Sequence, residues 1–276
     1  MNPLPSALRP PPSDPQLAPL LLSTDFDGTL IDHQSPVPMA EAFFAWINET
    51  RRHRRVVWAV NTGRDWDSLR EELDRRKAPF LPDWVMLIER EVHRVHNGSL
   101  IGHREWNRRC FDVHAELFQR ADAMIEQMRR DLAKFKGLQI IRDVGSPLGL
   151  IATDDEQASA VHEALEPLYQ AHPDLHAVRN SVYLRFAHID FHKGSCLALV
   201  QSEEGIAAEN TIAAGDNLND LPMLQRRYAH HLICPSNSLP EVKDQVLAEG
   251  GFVASQPADQ GVVEGLRALI LQPLSD

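Results

Sequence analysis

The sequence predicts an α/β chain: a doubly wound parallel-sheet core with an inserted α+β module. Three observations predict it. Short apolar runs alternate with amphipathic helical stretches in the first third and again in the last third. The middle third instead carries hairpin signals among long helical stretches. Acidic or hydroxyl residues follow directly on several apolar runs, where such sheets place their ligands, beyond the carboxyl ends of the strands.

The elements follow in order. Residues 1–19 are rich in proline and lack the cationic and apolar regions of a signal peptide, so they read as a disordered leader. Leu20 to Phe26 is a buried strand running into Asp25-Phe26-Asp27-Gly28. Met39 to Arg52 reads as a helix with Phe43, Phe44 and Ile47 on one side. Val56 to Val60 is the next strand, ending in Asn61-Thr62-Gly63-Arg64. Trp66 to Arg76 is helical, and Trp84 to Ile88 is a third strand. Asn97-Gly98, between two strand-like runs, is a hairpin signal. One long helix is expected from Phe111 to Phe135, then strands at Leu138 to Asp143 and Leu148 to Ala152. A helix at Glu156 to Tyr169 precedes a strand, or a hairpin about Asn180-Ser181, over Val178 to Phe186. The alternating pattern resumes with a helix from Lys193 to Val200 and a strand from Thr211 to Ala214 that ends in Gly215-Asp216. Leu218 to Gln225 reads as helix, Leu232 to Cys234 as strand, Leu239 to Ala248 as helix, Phe252-Val253 as a short strand and Val262 to Leu271 as the closing helix. The core thus comprises residues 20–88 and 189–276, and residues 89–188 form the insertion, roughly 100 residues and of ordinary domain size.

Composition sets outer limits. A chain of 276 residues holds one large domain, or a core with a smaller insertion. A net charge of −11 argues against general nucleic-acid binding, which demands a basic face, but leaves room for a small anionic substrate in one locally cationic cleft. No apolar run approaches the roughly 18 residues of a membrane span. Cys110, Cys196 and Cys234 show neither CxxC nor zinc spacing and read as free thiols of a reducing, cytoplasmic setting.

The chemistry concentrates at the strand ends. Asp25 and Asp27 stand two residues apart, so both point the same way on an extended chain. Two such carboxylates repel each other unless a cation or a proton relieves them, and magnesium favours carboxylate, phosphate and water oxygens. Asp216 ends another strand, with Asp220 four residues later. Gly28 allows a tight backbone. Thr62 and Gly63 offer a hydroxyl and an unobstructed amide to a phosphoryl oxygen, and Lys193 opens a helix.

Taken in this order, the residues resemble the haloacid dehalogenase superfamily, whose hydrolases are mostly phosphatases. Asp25-Phe26-Asp27-Gly28-Thr29-Leu30 matches its first motif, DxDGT. Thr62 matches the second, Lys193 the third and Gly215-Asp216-Asn217-Leu218-Asn219-Asp220 the fourth, GDxxND. Thr62 and Lys193 are about 130 positions apart, far more than an ordinary connection. The insertion therefore resembles a cap placed between the second and third motifs, as in Cof-type phosphatases, sucrose-phosphate phosphatases, mannosyl-3-phosphoglycerate phosphatases and phosphomannomutases.

The resemblance implies roles. Asp25 would attack phosphorus and form an aspartyl-phosphate, and Asp27 would act as general acid and then base. Mg2+ would be held by Asp25, the Asp27 carbonyl and Asp216, and Asp220 would hold metal-bound water or orient Lys193. Thr62, Gly63 and Lys193 would bind phosphate, with Asn219 beside them. Arg64 is a candidate substrate contact, as are Asn180, Arg185, His188, Asp190 and His192 from the insertion side, and a phosphorylated sugar or similar metabolite is the implied partner. His188, Asp190 and His192, spaced i, i+2, i+4, read as a polar hinge beside the cleft in preference to a metal set. His93, His96 and His103 read as surface histidines, and Glu89 and Glu91 as candidate sugar contacts. A phosphomutase using the same aspartates, a catalytically silent phosphate-binding module and a receiver-type domain are the alternatives.

Overall fold

The computed structural model describes residues 17–32, 38–143, 146–170 and 172–270. Most of the expected leader, residues 1–16, lies outside them, as does Leu271 at the end of the expected closing helix.

The chain begins with β1 (Leu20–Thr24), α1 (Glu41–Arg51), β2 (Val56–Asn61), α2 (Trp66–Arg75) and β3 (Trp84–Leu87). A hairpin follows, β4 (Glu91–His96) and β5 (Ser99–Gly102), then α3 (Arg104–Arg120) and α4 (Asp122–Leu132). Next come β6 (Gln139–Asp143), β7 (Ser146–Ile151), α5 (Asp155–Tyr169), β8 (Leu175–Asn180) and β9 (Tyr183–His188). The remainder is α6 (Lys193–Glu204), β10 (Thr211–Ala214), β11 (His231–Cys234), α7 (Pro240–Ala248), β12 (Phe252–Val253) and α8 (Ala258–Ile270).

The large sheet has the order β12-β11-β10-β1-β2-β3-β4-β5, parallel from β12 through β3. Its strands read as unbroken apolar runs because both faces are covered. Leu20, Leu22, Val56, Trp58, Val60 and Ile212 pack with α1, α2 and α8 on one side. Leu21, Val57, Ala59 and Ala213 pack with α6 and α7 on the other. The chain steps outward from β1 to β3, then returns to β10 on the opposite flank of β1 and steps outward again. The order therefore reverses between β1 and β10, and such a reversal opens a crevice at the carboxyl ends of the strands.

Three local expectations differ from the structure. The β4–β5 hairpin, expected inside the insertion from residue 89, pairs antiparallel along β3 and extends the large sheet. Its turn is the expected one, with Asn97 and Gly98 both left-handed (φ 50° and 77°). The expected long helix over 111–135 begins earlier and is two helices, broken at Ala121 (φ −92°, ψ 2°). Ala121, Leu117 and Ile125 all bury into the second core, so the bend keeps both apolar faces turned inward. Leu218 to Gln225 forms a short 3-10 turn at Leu218–Asp220 and further turns instead of a helix.

The second sheet, β6-β7-β9-β8, is wholly antiparallel and packs α3, α4 and α5 over its own core of Leu148, Leu150, Val161, Leu184 and Phe186. Its β8–β9 hairpin turns at Ser181 (φ 51°), as the Asn180-Ser181 signal suggests, and lies over the carboxyl edge of the large sheet.

Candidate active site

Asp25 follows β1, Thr62 follows β2 and Asp216 follows β10, so three adjacent parallel strands deliver them to the crevice. Lys193, the first residue of α6, comes from the far side of the insertion and is 1% exposed. Its ammonium donates to Asp25 Oδ1 (2.5 Å) and to Asp220 Oδ1 (2.5 Å). The other Asp220 oxygen accepts from the backbone amides of Asp216 (2.8 Å) and Asn217 (2.9 Å). Asp220 is thus fully used in orienting Lys193 and closing the loop that carries Asp216. Asn61 Nδ2 ties the Lys193 carbonyl to the end of β2 (2.9 Å).

Asp216 Oδ1 accepts from Thr29 Oγ1 (2.7 Å). Its other oxygen lies where a side chain at position 28 would go: a Cβ on Gly28 would sit 2.2 Å from Asp216 Oδ2, and Gly28 has φ +81°. Only glycine fits there without displacing the carboxylate. Asp25, Asp216 and Asp220 offer oxygens within 4.8 Å of one another, all buried.

The electrostatics follow from this crowding. Burial, then the charge of Asp220, raises the Asp25 pKa well above the carboxylate range. Burial and Asp220 likewise push Asp216 up to about 7. Burial works against the charge of Lys193, but Asp220 and Asp25 outweigh it and hold its pKa above normal. Three buried carboxylates facing one lysine leave negative charge uncompensated, and a divalent cation with a preference for oxygen ligands relieves it. With Asp220 engaged elsewhere, Asp25 and Asp216 are the carboxylates that fit such an ion.

Asp27 lines the mouth of the crevice and forms a two-pronged pair with Arg64, Nε to Oδ2 at 2.8 Å and Nη2 to Oδ1 at 2.7 Å. Arg64 also donates to Ser68 Oγ (2.8 Å). Arg64, a candidate substrate contact with local pairing as the other reading, spends its guanidinium on Asp27, a partner that no spacing rule announces. Thr62 is fully buried, and its Oγ1 accepts from the Arg64 amide (3.2 Å).

The β8–β9 hairpin roofs a cleft of about 620 Å³ lined by Asp27, Gly63, Arg64, Glu89, Asn180, Tyr183, Arg185 and Asp216, among others. Asn180 lines the crevice. Arg185 lines it too, but reaches across to the Gly63 carbonyl (3.1 Å). Ile88 and Glu89, after β3, are both left-handed (φ 45° and 64°). Consecutive non-glycine residues in that region, the first β-branched, are strained by about 1–3 kcal/mol each. Their amides are pinned to the Arg64 and Thr62 carbonyls (3.0 Å each), which forces the turn into the site. Asn219 Nδ2 donates to Glu89 Oε1 (2.6 Å).

His188, Asp190 and His192 do not converge. His188 Nδ1 accepts from the Asp190 amide (3.2 Å), whereas His192 caps α6, its Nδ1 accepting from Gly194 (3.1 Å) and Ser195 (3.2 Å). His103 caps α3 through the Trp106 amide (3.1 Å). Glu91 pairs with His93 at 3.4 Å, outside the residues that line the cleft, and His96 sits in the hairpin beside Asn97. Sequence reasoning missed Thr29, Asn61 and both histidine caps. Thr29 and Asn61 adjoin recognised motifs, but histidine is not among the residues that mark a helix start.

A family model described as haloacid dehalogenase-like hydrolase matches residues 124–266, from α4 through most of α8. Among solved structures, sucrose-phosphatase from Synechocystis sp. PCC6803, in complex with sucrose and phosphate, is similar with a TM-score of 0.68 and 17% identity, covering 91% of this chain and 98% of that one. A Streptococcus mutans UA159 structure is similar at 0.63 and 14% identity, over 92% and 100% of the two chains. A haloacid dehalogenase-like hydrolase from Bacillus subtilis is similar at 0.58 and 16%, over 92% and 93%. No curated protein matches.

Proposed function

Because the chain belongs to the haloacid dehalogenase-like hydrolases, we propose that it is a magnesium-dependent phosphomonoester hydrolase acting on a sugar phosphate or similar small metabolite. The observation that carries this reading is the buried lysine bridge: Lys193 holds Asp25 and Asp220 at 2.5 Å each, beside Asp216, at the switch point of the sheet.

An oxygen of Asp25 attacks phosphorus, and the bond to the leaving oxygen breaks as Asp27 supplies that oxygen with a proton. Water then attacks the phosphorus of the aspartyl-phosphate, Asp27 takes its proton, and the Asp25 carboxylate is regenerated with release of phosphate. Lys193 and the Thr62–Gly63 turn stabilise the phosphoryl oxygens. Asp25 and Asp216 would hold the magnesium, with the Asp27 carbonyl, and the ion would neutralise charge between nucleophile and phosphate. Arg64 fixes the Asp27 carboxylate at the mouth of the cleft.

The sugar-phosphate class is supported by the polar side chains that line the 620 Å³ cleft, Arg64, Glu89, Asn180, Tyr183 and Arg185 among them, and by the similarity to a sucrose-phosphatase. A cytoplasmic setting is supported by three free, buried cysteines, and no described helix is long and apolar enough to cross a membrane. Phosphate release from a panel of sugar phosphates, with magnesium and with chelator, tests the reading. Release should require magnesium and fall at least about a thousandfold in Asp25→Asn. No release from any member, or an active Asp25→Asn protein, would overturn it.

A further inference from the structure

We propose that Glu89, held in place by Asn219, is the specificity-determining acceptor that reads a hydroxyl group on the substrate's leaving group. This rests on the phosphatase reading above. Glu89 is 5% exposed and lines both the 620 Å³ cleft and a smaller cavity of about 210 Å³, which Lys193 and Asn219 also line. The paired left-handed turn at Ile88 and Glu89 aims the side chain there. Gly63 makes room, since a Cβ at that position would come within 3.3 Å of Glu89 Oε1.

The Asn219 amide donates to Glu89 Oε1, and this contact sets its orientation, because turning it over would face its oxygen to the carboxylate. Two buried acceptors then remain without a donor among the described residues, Glu89 Oε2 and Asn219 Oδ1. Buried acceptors are costly unless a donor reaches them. A phosphate dianion brings acceptors only. An ammonium is not required, because Lys193 already lines the same cavity as Glu89. A neutral hydroxyl is the group that fits. Gly63 and Lys193 place the pair next to the phosphoryl position, so the hydroxyl it reads lies within a few bonds of the phosphoester oxygen. The preferred leaving group is a polyol.

The test compares kcat/KM of the full-length protein with magnesium on hexose 6-phosphates, glycerol phosphate and p-nitrophenyl phosphate, whose leaving group has no alcohol hydroxyl beyond the ester oxygen. The wild type should favour at least one polyol phosphate. Glu89→Gln should lower the ratio of that polyol phosphate to p-nitrophenyl phosphate by about 10- to 100-fold, chiefly through KM, since the carboxylate is an acceptor used in binding. Asn219→Ala should lower the same ratio by freeing Glu89. Glu89→Asp, which withdraws the carboxylate by one methylene, is the second variant should Glu89→Gln fold poorly, and a thermal midpoint checks both. A ratio unchanged within about twofold, or a wild type that prefers the aryl phosphate over every polyol phosphate, overturns the proposal while leaving the phosphatase reading intact. A wild type inactive on all of them overturns the phosphatase reading itself.

Discussion

His114 should make this protein lose stability in mild acid, by an amount the structure sets. The ring lies in α3, 5% exposed, against His188 and Phe191, where the second sheet hands the chain back to the core. Its Nδ1 proton is donated to the Cys110 carbonyl (2.7 Å), and Nε2 accepts from the His188 amide (3.0 Å). Only the neutral ring can do both. Burial, reinforced by Arg90, lowers its pKa from 6.5 to about 4. Between those values the unfolded chain binds the proton and the folded chain does not, so folding stability rises with pH through that window and falls on acidification. At about 1.4 kcal/mol per unit, the whole effect is about 3 kcal/mol below pH 4, and about 2 kcal/mol by pH 5. Urea unfolding of the wild type and of His114→Gln, at pH 8 and pH 5, isolates it. Glutamine retains an acceptor near Nε2 without titrating, and every other acid-sensitive group is common to both proteins. The wild type should lose about 2 kcal/mol more than the variant between the two pH values. Equal losses, within about 0.5 kcal/mol, would refute the argument that His114 is buried neutral.

Gly28→Ala should displace Asp216 and impose a left-handed alanine, destabilising the fold by at least about 1–2 kcal/mol and weakening magnesium activation, measured by urea unfolding and a metal titration of turnover. Arg64→Lys should lower kcat/KM roughly tenfold, because an ammonium cannot reproduce the two-pronged contact with Asp27; steady-state rates at fixed pH check this. His192→Ala should uncap α6 at a cost of about 1 kcal/mol and raise KM through its neighbour Lys193, whereas His192→Asn, an equivalent cap, should restore both, as thermal midpoints and substrate titrations would show.

The parts of the site legible in the sequence are those whose chemistry and strand position coincide along the chain. Asp25, Thr62 and Asp216 each follow an apolar run, and a parallel sheet leaves little choice about where such residues go. The parallel, doubly wound character of the large sheet was legible for the same reason, except at β4–β5. A hairpin signal specifies its own pairing but not which sheet it joins, and the apolar Val92 and Val95 suit either one. Partnerships across long separations left no trace. Arg64 with Asp27, Lys193 with Asp25 and Asn219 with Glu89 join segments 37, 168 and 130 positions apart. Residue type states only that each is able to pair. The turn at Ile88–Glu89 went further against expectation, since isoleucine is among the residues least suited to a left-handed backbone. Its strain is sustained by amide contacts to the carbonyls of Thr62 and Arg64, at the carboxyl end of β2 beside the cleft. A backbone held against its preference next to the proposed phosphate-binding turn is better explained by what its side chain does there than by the needs of the fold. That is the physical reason to look to Glu89, and not to the more exposed Glu91, for contact with substrate.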